Sequence, residues 1–475
     1  MKKLVALLLV CFMLASAVMA CGTAAPADTD SKTEDSKAED TQGEESKDDE
    51  ETEASEENTE AAEEGLVVTD ADMTIELWDI STTDTLTEEA YEAFMADYPN
   101  ITINYEHIVN DNYKQQLVIA MSADECPNAY IHWTGGPMEE YYAAGFCDDL
   151  TDLYEKYNEA AYLDSAIAMC TANDGKLIAL PYGGMSGTVL YYNKTLFAEL
   201  GIEAPKTMAE LEAVAETVKE AGYIPFALAN KSKWTGSLYY MYVVARYGGP
   251  EAVAKAYSGE GSFTDEPFVK GAAKIQEWVE KGYFPEGVNS IAADDGMDRQ
   301  LLYTEKAAMF VALSSAGGNI KKEAPEWYEA NLGAVAFPID EESQAAGIDQ
   351  TVAVGSAVGN AFSFNTKGDD EMRKALFVLL NKYLASDEYA AKLLETTTKI
   401  YPKQGAEATV VDEIPLATWN IFANASNVQL FYDQYLPAAV ASVHKDTMTT
   451  LFDLSQTPEE ICQTLQDAFV AETSK

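Results

Sequence analysis

No run of residues in this chain spells out a catalytic centre, but several aromatic residues stand where a flat ligand could be held. Trp78 and Trp133 each close a strand-like run, Tyr182 sits in a P-Y-G-G turn, and Trp234 ends ANKSKW, just after YIPFALA. Phe431, Tyr432 and Asp433 fall together in NVQLFYDQYLP. A sugar ring has an apolar C–H face and a rim of hydroxyls, so an aromatic plane beside Asp, Asn or Ser groups suits it. Each of these rings also suits a core, Trp78 most of all. Other chemistry is harder to find. His107, His132 and His444 are far apart and lack metal-ligand spacing. His132, beside Trp133, fits a cleft wall less well than a satisfied structural histidine. Neither a G-x-S-x-G, a phosphate loop, a dinucleotide fingerprint nor an H-E-x-x-H occurs. Gly183 to Gly187 reads GGMSG but leads into a strand, not the helix N-terminus that a phosphate site uses. With 80 Asp and Glu residues some carboxylate pair is inevitable, so pairing alone carries no glycosidase signal. The expectation is a binding protein without a catalytic set, a metal or a cofactor.

The elements that would position these residues alternate between strand and helix. MTIELW, ITINYE and NAYIHW read as strands. Between the first two, Tyr91, Phe94, Met95 and Tyr98 share one helical face, and a more polar helix around Tyr113–Met121 follows the second. This is the βαβαβ grammar of an open, largely parallel sheet covered on both faces. KLIALP and TVLYYN flank the glycine-rich turn, and Thr207 with Glu210 forms a capping box for the next helix. Further strands are YIPFALA, AMFVAL, LGAVAF and GNAFSFN, with a helix over Glu371–Ala385. Thr457-Pro458-Glu459-Glu460 opens a terminal helix with an N-cap, Pro at N1 and Glu at N3. The expected fold class is α/β, in two lobes.

The N-terminal region sets the location. Lys2 and Lys3 precede an apolar Leu4–Leu14 that is short for a membrane span, as in a secretory signal. Val18-Met19-Ala20-Cys21 resembles a bacterial lipobox, in which the Cys21 thiol is acylated and becomes the new N-terminus. Two acyl chains hold a protein to a bilayer far better than one. Residues 1–20 are therefore read as signal peptide, and residues 21–65 as a lipidated cysteine followed by a disordered acidic linker, since that stretch has almost no large apolar residue. The formal net charge of −49 disfavours nucleic acid and anionic lipid surfaces as partners. Cys126, Cys147, Cys170 and Cys462 are widely spaced without a C-x-x-C; one disulfide or buried free thiols would both fit.

Taken in order, the motifs resemble those of the extracellular solute-binding lipoproteins of bacterial ABC transporters, in the carbohydrate-binding group related to maltose-binding protein. The resemblance runs from about Met73 to Ala468. It is carried by CPNAYIHWTGGPMEEYYAAGF, by Leu180-Pro181 and Tyr192-Asn193-Lys194 with Leu196-Phe197, by LLYTEKAAMFVALSSAGGNI, by LGAVAFP, and by NAFSFNTKGDDEMRKALFVLLNKYLASDEYAAKLL. It implies a periplasmic-binding-protein-like, two-lobed fold with a ligand cleft between the lobes and several crossings, near Tyr182–Thr188, near Val311–Ser315 or a little upstream, and near Val354–Asn360. The expected lobes are residues 66–184 with 306–352, and residues 185–305 with 353–475. Trp133 and Trp234 match cleft aromatics of the first and second lobe, and Phe431 and Tyr432 fall near another. Asn112 approximates a polar contact. Tyr182, Asp433 and Trp78 complete the expected ligand set. The family often carries Gly-x-Trp after the A-A-M-F strand. This chain has Ala312-Leu313-Ser314-Ser315-Ala316, so the ligand would be smaller or held by the Ser315 hydroxyl and backbone. The resemblance implies a monomer, tethered through Cys21 to the outer face of the cell membrane, that captures a sugar or oligosaccharide and presents it to permease subunits. A receptor for another solute, an extracellular carbohydrate-active enzyme and a surface adhesin are the alternatives.

Overall fold

The computed structural model describes residues 66–80 and 86–474. The expected signal peptide, Cys21 and the acidic stretch to residue 65 lie outside the described residues. Among the described residues eleven strands form two sheets: β1 Met73–Ile80, β2 Ile101–Ile108, β3 Ala129–His132, β4 Leu180–Tyr182, β5 Ser186–Asn193, β6 Ile224–Ala227, β7 Ala307–Leu313, β8 Leu332–Val335, β9 Ala353–Ser356, β10 Asn360–Phe364 and β11 Val428–Gln429. The first sheet runs β2-β1-β3-β10-β4, and the second β11-β9-β5-β7-β6 with β8 also on β5. β1 is parallel to β2 and β3, which is what two successive βα units produce. β10 returns antiparallel between β3 and β4.

Each sheet has its own core, and the two make the lobes. The first core gathers Ile75, Leu77, Tyr91, Phe94 and Tyr130 with Phe362, Leu376 and Leu380. The second holds Leu190, Tyr240, Trp278, Met309 and Tyr432. β5 is covered on both faces. Leu190 enters the second core, while Val189 and Tyr191 enter a separate cluster with Phe310 and Ile414, as the two-residue period of a strand demands. Two helices begin on the capping chemistry that the sequence shows. Thr207–Glu210 and Thr457–Glu460 both make reciprocal capping boxes, each satisfying backbone N–H groups that a first turn leaves unpaired.

Strand pairing corrects the expected lobe boundaries. β7 and β8, expected with residues 66–184, both pair with β5 in the second sheet. β10, expected in the second lobe, belongs to the first sheet, and the following helix Asp370–Val378 buries Ala375, Leu376 and Phe377 in the first core. The chain passes between sheets at residues 183–185 and 357–359, within two of the three expected crossings. It does not pass at Val311–Ser315. There Leu313 is paired with Thr188, and helix Ser315–Glu323 leads back to β8. A return passage lies instead between Tyr401, in the first core, and helix Glu413–Ala423, which packs on β5 and β8. Which strand pairs with which is a long-range choice that local alternation does not encode.

Candidate functional site

Register fixes where the ends of the strands meet. Asn360 pairs with Tyr182 and Ala361 with His132, so β3 ends beside the crossing segments. In the second sheet Ser186 pairs with Ser356 and Thr188 with Leu313, so β7 and β9 end there too. β1 is parallel to β3, and β6 to β7, so their C-terminal ends share this side. Open α/β sheets place ligand crevices at such ends.

Trp133 follows β3 and is half-buried. Tyr113, fully buried, meets it edge-on with ring centroids 6.1 Å apart. The Tyr113 hydroxyl donates to the carbonyls of Ile131 (2.7 Å) and Trp78 (3.1 Å), joining β3 to β1 beneath the indole. The next residue, Lys114, carries its ammonium to 4.1 Å from the centre of the Trp133 ring and to 3.3 Å from Asp433 Oδ2. Lys114 belongs to the first lobe and Asp433 to the second, so this ion pair bridges them. A second bridge lies close by: the Ala438 N–H donates to Glu140 Oε1 at 3.2 Å. Gly135, at φ +97°, and Gly136 lie against the backbone carbonyls of Gln434 and Leu436; a Cβ on either would collide with them.

Trp234 opens helix Trp234–Gly248 directly after the β6 turn, and its indole Nε1 is buried without a hydrogen-bond partner. The turn is held by Asn230, whose Oδ1 accepts from Gly236 N at 2.9 Å and whose amide donates to the Met448 carbonyl at 3.2 Å. Lys233, with φ +68°, reaches Asp446 at 2.6 Å. Lys445 lies within the field of Lys114, Lys233, Asp433 and Asp446. A line of charges thus runs from the tryptophan of one lobe to that of the other.

The remaining expected residues are placed differently. Phe431 is buried, and Tyr432 has no exposed surface: it is walled by Tyr240 and His444 at 6.3 and 5.2 Å between ring centroids. Both rings belong to the second core. Trp78 packs on the first core inside β1, which continues to Ile80. Asn112 is exposed in the first turn of helix Asn110–Ser122. Ser315 starts its helix half-buried; its neighbour Ser314 is the buried one, with Oγ accepting from Gly187 N and donating to the Met185 carbonyl, both at 3.3 Å. Tyr182 packs on Phe362 and leads into a network that the sequence did not suggest. Tyr182 lies in the field of Tyr91 and Asp79, and Tyr91 donates to the buried Asp79 at 2.8 Å. Asp79 also pairs with His107, which contacts Glu88 at 3.1 Å. Burial pushes the Asp79 carboxyl up, and the Asp79 hydrogen bond, aided by Glu88, raises the His107 imidazole. A small depression at the crossings, lined by Met185, Ser314, Ile400, Trp419 and Phe422, also went unforeseen. An isolated Trp419 in TWNIF was its only trace in the sequence.

His132 is structural: Nε2 contacts Ser363 Oγ at 2.7 Å, Nδ1 contacts the Trp133 carbonyl at 3.1 Å, and burial lowers its pKa to about 4. Cys126, Cys147, Cys170 and Cys462 are buried free thiols. Among the described residues no group of three His, Cys, Asp or Glu side chains is placed to hold a metal ion, and no helix is long and apolar enough to cross a membrane.

A family described as bacterial extracellular solute-binding protein matches residues 79–391. The chain belongs to this family. An uncharacterized ABC transporter extracellular-binding protein of Pyrococcus horikoshii is 28% identical over 263 residues, 53% of this chain and 57% of that protein. An alpha-glucosides-binding periplasmic protein of Rhizobium meliloti is 26% identical over 218 residues, covering 43% of this chain and 47% of its own length. The chain spans about half the length of these two relatives. A solved structure from work on xylan utilization by the thermophilic bacterium Caldanaerobius polysaccharolyticus is 27% identical, with a TM-score of 0.76, over 83% of this chain and 99% of that one. The extracellular solute-binding family and the two-lobed fold stand together on these matches.

Proposed function

We propose that this protein is the substrate-binding component of an ABC transporter, capturing a sugar or oligosaccharide between its lobes and presenting it to a membrane permease. Family membership supplies the class, and the relative named for alpha-glucosides supports the carbohydrate. The observation that carries the reading is the pair Trp133 and Trp234, one from each lobe: the Lys114–Asp433 ion pair covers the first, and Lys233, paired with Asp446, immediately precedes the second. A pyranose laid on the Trp133 indole would take the place of the Lys114 ammonium, a cation–π contact worth about 0.5–2 kcal/mol. Its hydroxyls would then be within the class of groups that Asp433 and the lysines can bond.

Ligand held by both lobes favours whichever arrangement brings them together, so binding shifts an open–closed equilibrium that a permease can read. The mature chain is a monomer tethered by acylated Cys21 to the outer face of the membrane, with the acidic residues 21–65 as its leash. It binds without turning its ligand over. Calorimetric titration against a panel of mono- and oligosaccharides, with peptides and polyamines as controls, tests this. Saturable, one-to-one heat with a sugar is expected; heat only with a peptide or polyamine would overturn the carbohydrate assignment.

A further inference from the structure

The charge line between the two tryptophans does not balance. Asp433 is engaged by Lys114 at 3.3 Å and Asp446 by Lys233 at 2.6 Å. Lys445, half-buried in helix Ala438–Phe452, has no hydrogen bond or ion pair among the described residues. Its field contains two other lysines and the two aspartates those lysines already hold. Burial first, then repulsion from Lys114 and Lys233, lowers its pKa. Lys445 makes no ion pair of its own, because each aspartate in its field is held by another lysine, and in a chain whose formal net charge is −49 a local surplus of cations runs against the composition. The surplus lies at the ligand side. Lys114 covers the Trp133 face, and Lys233 immediately precedes Trp234.

We propose that the natural ligand is an acidic carbohydrate, an oligosaccharide bearing a uronic-acid residue, whose carboxylate pairs with Lys445 and draws Lys114 from the face of Trp133. This rests on the carbohydrate reading above and narrows it. One surplus positive charge matches one carboxylate rather than a doubly charged phosphate ester. The indoles hold the apolar sugar faces, and the carboxylate supplies the counter-ion that Asp433 and Asp446, each already paired, do not.

The test is calorimetry on the mature protein with matched pairs: oligogalacturonides and glucuronic-acid-substituted xylo-oligosaccharides against neutral oligomers of equal length, plus a sulfated oligomer. An acidic member binding about tenfold or more tighter than its neutral partner is expected. Lys445→Gln should bring that ratio close to one, and Lys445→Arg should keep it. The ratio is measured within one protein, so a general loss of folding does not mimic the effect. Neutral oligomers binding as tightly as acidic ones, the sulfated oligomer binding tightest, or an unchanged ratio in Lys445→Gln would overturn the proposal and leave the carbohydrate reading standing. No binding of any oligosaccharide by folded wild-type protein would remove both.

Discussion

Trp133 and Tyr432 invite comparison, because the same logic nominates both: an aromatic ring beside a polar residue at the end of an element. In the fold they do opposite work. Trp133 stays half-buried, propped from beneath by Tyr113 and faced by a lysine ammonium. Tyr432 is sealed between Tyr240 and His444 with no exposed surface. The difference is one of what lies on the far side of the ring. A strand whose C-terminal end stops beside the crossings leaves a face open; the one turn Tyr432–Tyr435, packed on the helices around it, does not. An aromatic residue in a sequence names a mass of apolar surface, and only the tertiary partners decide whether a face is left for a ligand.

That contrast can be broken by mutation. The largest effect is expected at Tyr432→Ala, which empties a packed site and should cost about 3–5 kcal/mol of stability in urea unfolding, with binding impaired only as folding is. Trp133→Ala should do the reverse: a stability loss below about 2 kcal/mol, because the indole is only half-buried, and a loss of sugar affinity of about tenfold or more in calorimetry. Trp234→Ala should weaken binding by a similar factor. A Trp133→Ala protein that unfolds early yet binds normally would erase the distinction. Next in size is the bridge between lobes. Asp433→Asn removes the partner of Lys114 and should cost about 0.2–1 kcal/mol, since the pair is partly exposed, while small-angle scattering of the ligand-free protein shifts toward a longer shape.

The smallest effect concerns the Asp79–His107 pair. Both groups bind a proton more tightly folded than unfolded, Asp79 through burial and His107 through its bond to Asp79. Stability from His107 is therefore fully present below the ordinary histidine value of about 6.5 and is lost as pH rises through its elevated folded value. The Asp79 contribution runs in the same direction at lower pH. Urea midpoints measured from about pH 6 upward should decline more steeply in the wild type than in His107→Gln. Equal slopes would mean that the pair is not protonated as described.

Local chemistry was the legible part of this molecule. The capping boxes at Thr207 and Thr457 and the helical face of Tyr91 and Phe94 depend on residues three or four apart, and they are found where the spacing places them. β1 to β3, parallel and joined by helices, follow from the same local grammar. Lobe assignment was not legible, because β7 pairs with β5 more than a hundred residues away and β10 returns to the first sheet after a three-residue passage. Of the residues that the sequence nominates for a site, Trp133 and Asp433 both contact Lys114, and Trp234 follows Lys233. The second layer was not legible. Lys114 and Lys445 are separated by over three hundred residues, and Asp79, Tyr91 and His107 meet only because β1 and β2 are in register. A lysine in an exposed-looking helical stretch carries no mark in the sequence that distinguishes a solvated charge from one that faces a ligand.

The most direct measurement is a crystal structure of the mature protein with a sugar that saturates it in calorimetry. The account requires a pyranose ring lying flat on the Trp133 indole, with the Lys114 ammonium moved off that face and the far end of the ligand at Trp234. A sugar bound instead in the depression at Met185 and Trp419, with Lys114 still seated on Trp133, would contradict it.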